Sequence, residues 1–298
     1  MPYDYQTVRV EQEGALLVAT IDHPPINLLD HALYVDLLKL SKRLYEDPEP
    51  SVVVLKSAVP GFFIAHFDVA AILEFPAEGE AAYPETANPF HVLCERFATM
   101  DKVTIAQIEG RAGGGGSELA SAFDMRFGVL GQTVVNQMEV PLGILPGGSG
   151  TQRLPRLLGR GRAMEVILGA GDLDAATAER RGYLNRAFPP GEIEPFVADL
   201  AHRIASFPKP GVRLAKAAID ASGRPLAEGL REEAYLFERL LRTEEAPRAM
   251  RRFLDLGGQT PEGERRVGAL SAEMHAAGTG NISISPGAAR GRSCHDTP

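Results

Sequence analysis

Four consecutive glycines, Gly113 to Gly116, interrupt an apolar stretch of this chain: VTIAQI (103–108) comes before them and SELASAFDM (117–125) follows. Glycine lets a backbone take positive φ and lets another group approach the main chain closely. The plain alternative, a loose surface loop, sits poorly between flanks apolar enough to be core. The stretch therefore predicts a strand, a tight turn and a helix starting near Gly115. The first N–H groups of such a helix have no partner within it and carry partial positive charge. They suit a phosphate, or an oxyanion that develops during a reaction. A second cluster, Gly147-Gly148-Ser149-Gly150, stands ahead of a basic helical stretch.

Nucleotide loops do not fit these glycines. A phosphate loop needs a Lys-Ser/Thr pair after its last glycine, and Ser117-Glu118 stands there instead. The dinucleotide spacing fails because Glu118 occupies the last glycine position counted from Gly113. The nucleophile-elbow pattern G-x-S-x-G fails around both Ser117 and Ser149, which read as helix-entry residues. Glu118 and Glu139 carry more information. Each has apolar neighbours: Leu119 and Ala120 beside one, Met138, Val140 and Pro141 beside the other. Either alone reads as a solvated or first-turn carboxylate. A pair in one dry pocket pushes the two proton affinities apart, which suits holding a water and moving protons at carbon.

The remaining pattern alternates strands and helices to about residue 190, then turns wholly helical. Residues 7–10 and 16–21 predict a hairpin, closed by Pro24-Pro25. Asp30 caps a helix to about 47, with Leu33, Leu37, Leu40 and Leu44 on one stripe. The β-branched run 51–56 (SVVVLK) predicts a strand buried on both faces. Residues 57–68 read as a loop whose Phe62, Phe63 and Phe67 pack or line a pocket. A short helix over 69–74 follows, then a polar, acidic segment 76–89 expected to be a surface loop or lid. Helices are expected at 90–99, 162–168, 175–181, 192–206, 211–222, 226–241 and 245–254. A strand is expected at 183–188. The Gly-, Ser- and Pro-rich tail from Gly257 is expected to be disordered.

A net charge of −8 speaks against a general nucleic-acid binder. The two cysteines, Cys94 and Cys294, and the seven histidines show no metal or redox spacing, so no metal is expected. The sequence MPYDYQTVRVEQEG has no basic and apolar leader pattern, and no run is long enough to span a bilayer. No membrane association and a cytoplasmic location are the expectations.

Three segments carry a family resemblance. IAQIEGRAGGGGSELASAFDMRFG, VPLGILPGGSGTQRLPRLLGRGRAMEVIL and AERRGYLNRAFP together resemble the crotonase (enoyl-CoA hydratase/isomerase) superfamily, and enoyl-CoA hydratases most. The resemblance implies an α/β fold: the ClpP/crotonase spiral of ββα units over 1–190, an α-helical trimerisation region over 191–256, and the tail 257–298. It implies an acyl-CoA thioester substrate, no cofactor beyond the coenzyme A of that substrate, and a trimer or dimer of trimers. Its site residues map to Glu118 and Glu139 as the acid/base pair and to the Phe67 and Gly115 amides as the oxyanion hole. Ile26, Leu28, Ala65, His66, Asp68, Gly114 and Gly147 map to substrate and CoA contacts.

The chain departs from the family pattern in three places. His66 replaces a glycine in the oxyanion loop. Val69, Ala70 and Ala71 stand where a basic residue often meets the CoA phosphates. Phe253-Leu254-Asp255-Leu256-Gly257 replaces a Phe-x-x-Lys-Arg pattern. Hydration of a 2-enoyl-CoA is the first reading, because both carboxylates are kept. Isomerisation or other acyl-CoA lyase chemistry is the second, and a non-catalytic oligomeric scaffold the third.

Overall fold

The computed structural model describes residues 3–76 and 78–275. It opens with an antiparallel hairpin, β1 (Val8–Glu13) and β2 (Leu16–Ile21), and then helix α1 (His31–Glu46). Asp30 caps α1 by accepting from the Leu33 amide, as its sequence position predicts. Next come β3 (Val52–Ser57), β4 (Gly61–Ile64), α2 (Val69–Leu73) and α3 (Pro89–Thr99). The glycine region follows as β5 (Val103–Ile108), β6 (Gly110–Gly113) and α4 (Gly115–Ser121). The chain continues through β7 (Met125–Val129), β8 (Val134–Asn136), α5 (Gly150–Leu158) and α6 (Arg160–Gly169). Then follow β9 (Leu173–Asp174), α7 (Ala175–Arg181) and β10 (Arg186–Phe188), and from there only helices.

Three consecutive strand pairs divide themselves between two sheets. β3, β5 and β7 enter a six-stranded sheet of order β1-β2-β3-β5-β7-β10. Their partners β4, β6 and β8 enter a four-stranded sheet of order β4-β6-β8-β9. This repeated division is the expected spiral of ββα units. The large sheet is apolar on both faces. Val53 and Leu55 of β3 join one core with the Leu33, Leu37, Leu40 and Leu44 stripe of α1. Val52 and Val54 join a second core with Ile193, Val197 and Ala201 of α8 (Ile193–Ser206). Alternate side chains of one β-branched run thus serve opposite cores. Each fully buried leucine of that stripe contributes roughly 1.5–3 kcal/mol.

Residues 61–64 are strand β4, where a loop was expected. Gly61 turns at φ +78°, and Phe62 to Ile64 then pair in parallel with β6. Phe63 is fully buried in the main core, whereas Phe67 reaches the site described below. Segment 75–88 carries no helix or strand among its described residues and is exposed. After α8 come α9 (Lys209–Asp220), α10 (Leu226–Leu241) and α11 (Glu245–Asp255). Within the first part, α8 lies directly on the sheet, so the first compact unit runs past 190 to Arg248; a second unit begins at Ala249. The tail expectation needs correction over 257–275, which holds α12 (Pro261–Arg265), capped by Thr260, and α13 (Val267–Glu273), with Leu270 buried. The rest of the expected tail, 276–298, lies outside the described residues. No described helix is long and apolar enough to cross a membrane.

Helix α4 crosses β4 without space for a side chain. A Cβ on Gly116 would lie 2.4 Å from the Ile64 carbonyl oxygen, a backbone atom that cannot swing aside. Gly116→Ala is therefore expected to destabilise the protein by roughly 1–3 kcal/mol or more. Urea denaturation of the pair would show this, and an unchanged midpoint would contradict the close crossing.

Candidate active site

The site forms where α4 begins. Gly114 caps the helix at φ +45°, a conformation that glycine takes without strain. Tyr183, fully buried, fixes the first turn: its hydroxyl donates to the Ser117 carbonyl oxygen at 2.9 Å and lies 3.1 Å from Ser117 Oγ. Helix geometry leaves the Gly115 N–H without an intrahelical partner. Nor does it have another acceptor among the described residues. Ser117 lies in the first turn of α4, in keeping with its reading as a helix-entry residue. Ser149 opens α5 at φ 98° but makes no side-chain cap.

The second amide comes from the loop after β4. Leu29 and Phe67 form an isolated parallel bridge: the Leu29 N–H donates to the His66 carbonyl at 2.9 Å, and the Asp68 N–H to the Leu29 carbonyl at 3.1 Å. That pattern uses the neighbours of the Phe67 N–H and leaves the N–H itself without an acceptor among the described residues. A Cβ on Gly115 would lie 3.4 Å from the Phe67 amide nitrogen, so the two amides are neighbours. The bond from Leu29 to the carbonyl of the His66–Phe67 peptide also polarises that peptide's N–H. Asn27, fully buried at φ 48°, braces this arrangement. Its Nδ2 donates to Ser57 Oγ (2.7 Å) and to the Phe63 carbonyl (2.9 Å). Ile26 adds a carbonyl that accepts from Ala65 N–H at 3.2 Å.

Glu118 lies in the first turn of α4 and is 3% exposed. Its Oε1 accepts the Gly148 N–H at 2.8 Å and the Gly150 N–H at 2.7 Å. Burial raises its proton affinity most, and the charge of Glu139 raises it further. The two amides pull the other way, and the result is a carboxyl pushed up to about 7. Glu139 precedes a 3₁₀ turn (Val140–Leu142) and is also pushed up by burial, with its own and the Met138 amide opposing. Its Oε2 is enclosed and has no hydrogen-bond partner among the described residues. A Cβ on Gly114 would lie 2.8 Å from Glu139 Oε1. The carboxylates expected from sequence thus converge on the N-terminus of α4.

Aromatic rings wall the carboxylates. Phe67, Tyr34 and Phe90 pack mutually with centroids 5.8–6.1 Å apart. Phe90 and Glu118 Oε2 flank the same point above Gly148. Leu28 and Asp68 are half-buried on either side of the Leu29–Phe67 bridge, Ala65 is buried, and Gly147 is exposed with its carbonyl accepting from Asn88 Nδ2 at 3.3 Å. Asn27, Tyr34, Phe90 and the Gly148 and Gly150 amides were not picked out from the sequence. The glycine cluster at 147–150 held the available signal, since a buried carboxylate needs donors and glycine amides are accessible ones.

Two buried carboxyls with raised proton affinity beside two unused amides suit proton transfer at a carbon next to an acyl group. A family model described as enoyl-CoA hydratase/isomerase matches residues 11–259, and the chain belongs to that family. It is 31% identical over 253 residues to a crotonyl-CoA hydratase of Syntrophomonas wolfei, covering 84% of this chain and 96% of the relative. It is 30% identical over 254 residues to a short-chain-enoyl-CoA hydratase of Clostridium acetobutylicum (85% and 96% covered). The crystal structure of an enoyl-CoA hydratase from Bacillus anthracis superposes with a TM-score of 0.75 at 27% identity, covering 84% of this chain and 96% of that one.

Glu118 links the site to stability. The folded protein keeps its proton up to about pH 7, whereas an ordinary glutamate loses it near 4.5. The stabilisation it contributes is complete below about pH 4.5 and is lost as pH rises through about 7. Glu118→Gln cannot ionise and escapes that loss, which amounts to roughly 3 kcal/mol for a gap of this size. Thermal melts should show the variant gaining on the wild type as pH rises across that window. Parallel Tm curves would contradict the raised value.

Proposed function

We propose that this protein hydrates 2-enoyl-CoA thioesters, with Glu118 and Glu139 as the acid/base pair and the Phe67 and Gly115 amides as the oxyanion hole. The observation that carries the reading is the second buried carboxylate. An allylic double-bond shift can use one carboxylate as its shuttle, whereas hydration must also position a water. The printed names of the hydratase relatives agree with it.

In this reading the thioester oxygen accepts from both amides. A water rests between the carboxyls, and Glu118, anchored through Oε1, orients it with the other oxygen. Glu139 takes a water proton as the water oxygen bonds to C3. The C2–C3 π electrons move toward C1, and the charge collects on the thioester oxygen between the amides. Glu139 then gives the proton to C2 and the carbonyl reforms. Substrate and water are fully accounted for in the product, so the reaction consumes no co-substrate, and the reading includes no metal or further cofactor. Ile26, Leu28, Ala65, His66, Asp68, Gly114 and Gly147 would frame the thioester and its CoA arm.

Assembly into a trimer or dimer of trimers, in the cytoplasm, belongs to the same reading. Ile219, Leu226, Leu230, Tyr235, Phe237 and Leu241 expose apolar side chains on α9 and α10. An uncovered apolar face of this kind marks an association surface. Light scattering on the purified protein should give three or six times the chain mass, and a monomer at all concentrations would remove this part.

Mass spectrometry of a panel of short, long, branched and aromatic 2-enoyl-CoAs should show addition of one water. Glu118→Gln and Glu139→Gln should each lower kcat by roughly 10²–10⁴-fold. A protein that hydrates none of the panel, or a Glu118→Gln variant with full activity, would end the hydratase reading. A product of unchanged mass would indicate isomerisation instead.

A further inference from the structure

We propose that Tyr183 is a positioning residue for the oxyanion hole: its hydroxyl starts a hydrogen-bonded relay that runs through two peptide groups at the start of α4 and ends in the Gly115 N–H. The inference rests on the reading of that N–H as an oxyanion donor. Tyr183 lies between α7 and β10, 66 positions from Ser117, and is fully buried.

The relay passes from atom to atom. The Tyr183 hydroxyl donates to the Ser117 carbonyl oxygen at 2.9 Å. That carbonyl shares a peptide with the Glu118 N–H, which donates to the Gly114 carbonyl oxygen at 2.9 Å. The Gly114 carbonyl in turn shares a peptide with the Gly115 N–H, the group left without an acceptor among the described residues. A bond accepted by a carbonyl draws electron density from the nitrogen of the same peptide and makes its N–H a stronger donor, so bonds in series reinforce one another. Gln137 Nε2 adds a longer contact to the Gly114 carbonyl at 3.5 Å. The two oxyanion amides are thus prepared alike: the Leu29 N–H holds the carbonyl behind the Phe67 amide, and the Glu118 N–H holds the one behind the Gly115 amide.

The chemistry of the two hydroxyls fixes the direction of the relay. A phenol has one hydrogen, and the Ser117 carbonyl can only accept it. In the 3.1 Å contact between the hydroxyls, Ser117 Oγ therefore donates and Tyr183 accepts, which strengthens the phenol as a donor. Burial pushes the Tyr183 phenol up to about 12, so it keeps its hydrogen throughout the neutral range. Arg126 fixes the place of the tyrosine: its Nε donates to the Tyr183 carbonyl oxygen at 2.6 Å, and its guanidinium stands 5.8 Å from the ring centroid.

A stronger donor counts most where the charge is greatest. An enolate oxygen carries more charge than the carbonyl oxygen of bound substrate, so the relay favours the transition state over the ground state. Tyr183→Phe removes the first donor and keeps the ring. With crotonyl-CoA it should lower kcat roughly two- to tenfold and leave KM within about twofold, a fraction of the loss for a deleted oxyanion donor. An unchanged kcat, or a loss confined to KM, describes a merely structural tyrosine and overturns the proposal.

Infrared spectroscopy of bound butyryl-CoA, isotope-labelled at the carbonyl carbon, reads the donor directly. This saturated thioester cannot be hydrated, and its carbonyl stretch falls as the oxygen accepts stronger hydrogen bonds. The wild type should displace the stretch downward from its position in water. Tyr183→Phe should displace it less, and Ser117→Ala, which removes only the outer hydroxyl, by an intermediate amount. Equal displacement in the wild type and Tyr183→Phe overturns the relay alone. No displacement in the wild type ends the oxyanion-hole reading and the relay with it. Should Tyr183→Phe fail to fold, Ser117→Ala decides: a displacement equal to that of the wild type overturns the relay. If the wild type turns over no crotonyl-CoA, the hydratase reading fails and the infrared comparison alone decides the role of Tyr183.

Discussion

One carboxylate oxygen holds the site together. Glu118 Oε1 accepts two amides, Gly148 and Gly150, from a segment thirty and more residues downstream in sequence. That contact fastens the start of α4 to the turn that leads into α5. When the carboxyl is ionised, charge-assisted bonds of this sort are about twice as strong as neutral ones. They offset part of the cost of burying the carboxylate, and burial still prevails. They tie the helix N-terminus to the Gly147–Gly150 turn, against which Phe90 packs.

The electrostatics follow from that placement. Two carboxyls lie in apolar surroundings, and both hold protons more tightly than ordinary glutamates. The nearby guanidinium of Arg153 is committed to Glu95 and Ser149.

Much of the architecture was legible because burial leaves a period in sequence. The Leu33–Leu37–Leu40–Leu44 stripe and the SVVVLK run identified α1 and β3 with nearly their observed limits. The helix start at Gly115 was readable from the glycine run. The four-stranded sheet was less legible. Its strands β4, β6, β8 and β9 have two to four residues each, too short for alternation to register, and β6 is GRAG, with neither β-branched nor aromatic residues. The helices of 257–275 were hidden by glycine content, although the Thr260 cap and the buried Leu270 were local signs of order. Within the site, the carboxylates stood out through their apolar neighbours. Asn27 and the two glycine amides did not, because their roles arise from contacts distant in sequence.

The Leu29–Phe67 bridge separates what must be kept from what can vary. Both amides proposed for the oxyanion hole belong to the main chain, and the carbonyl that polarises one of them is held by another main-chain group. The side chains of residues 65–68 are not needed to make that donor. Selection can therefore rewrite this loop, exchanging a small residue for an imidazole or a benzyl group, without dismantling the anion receptor it carries.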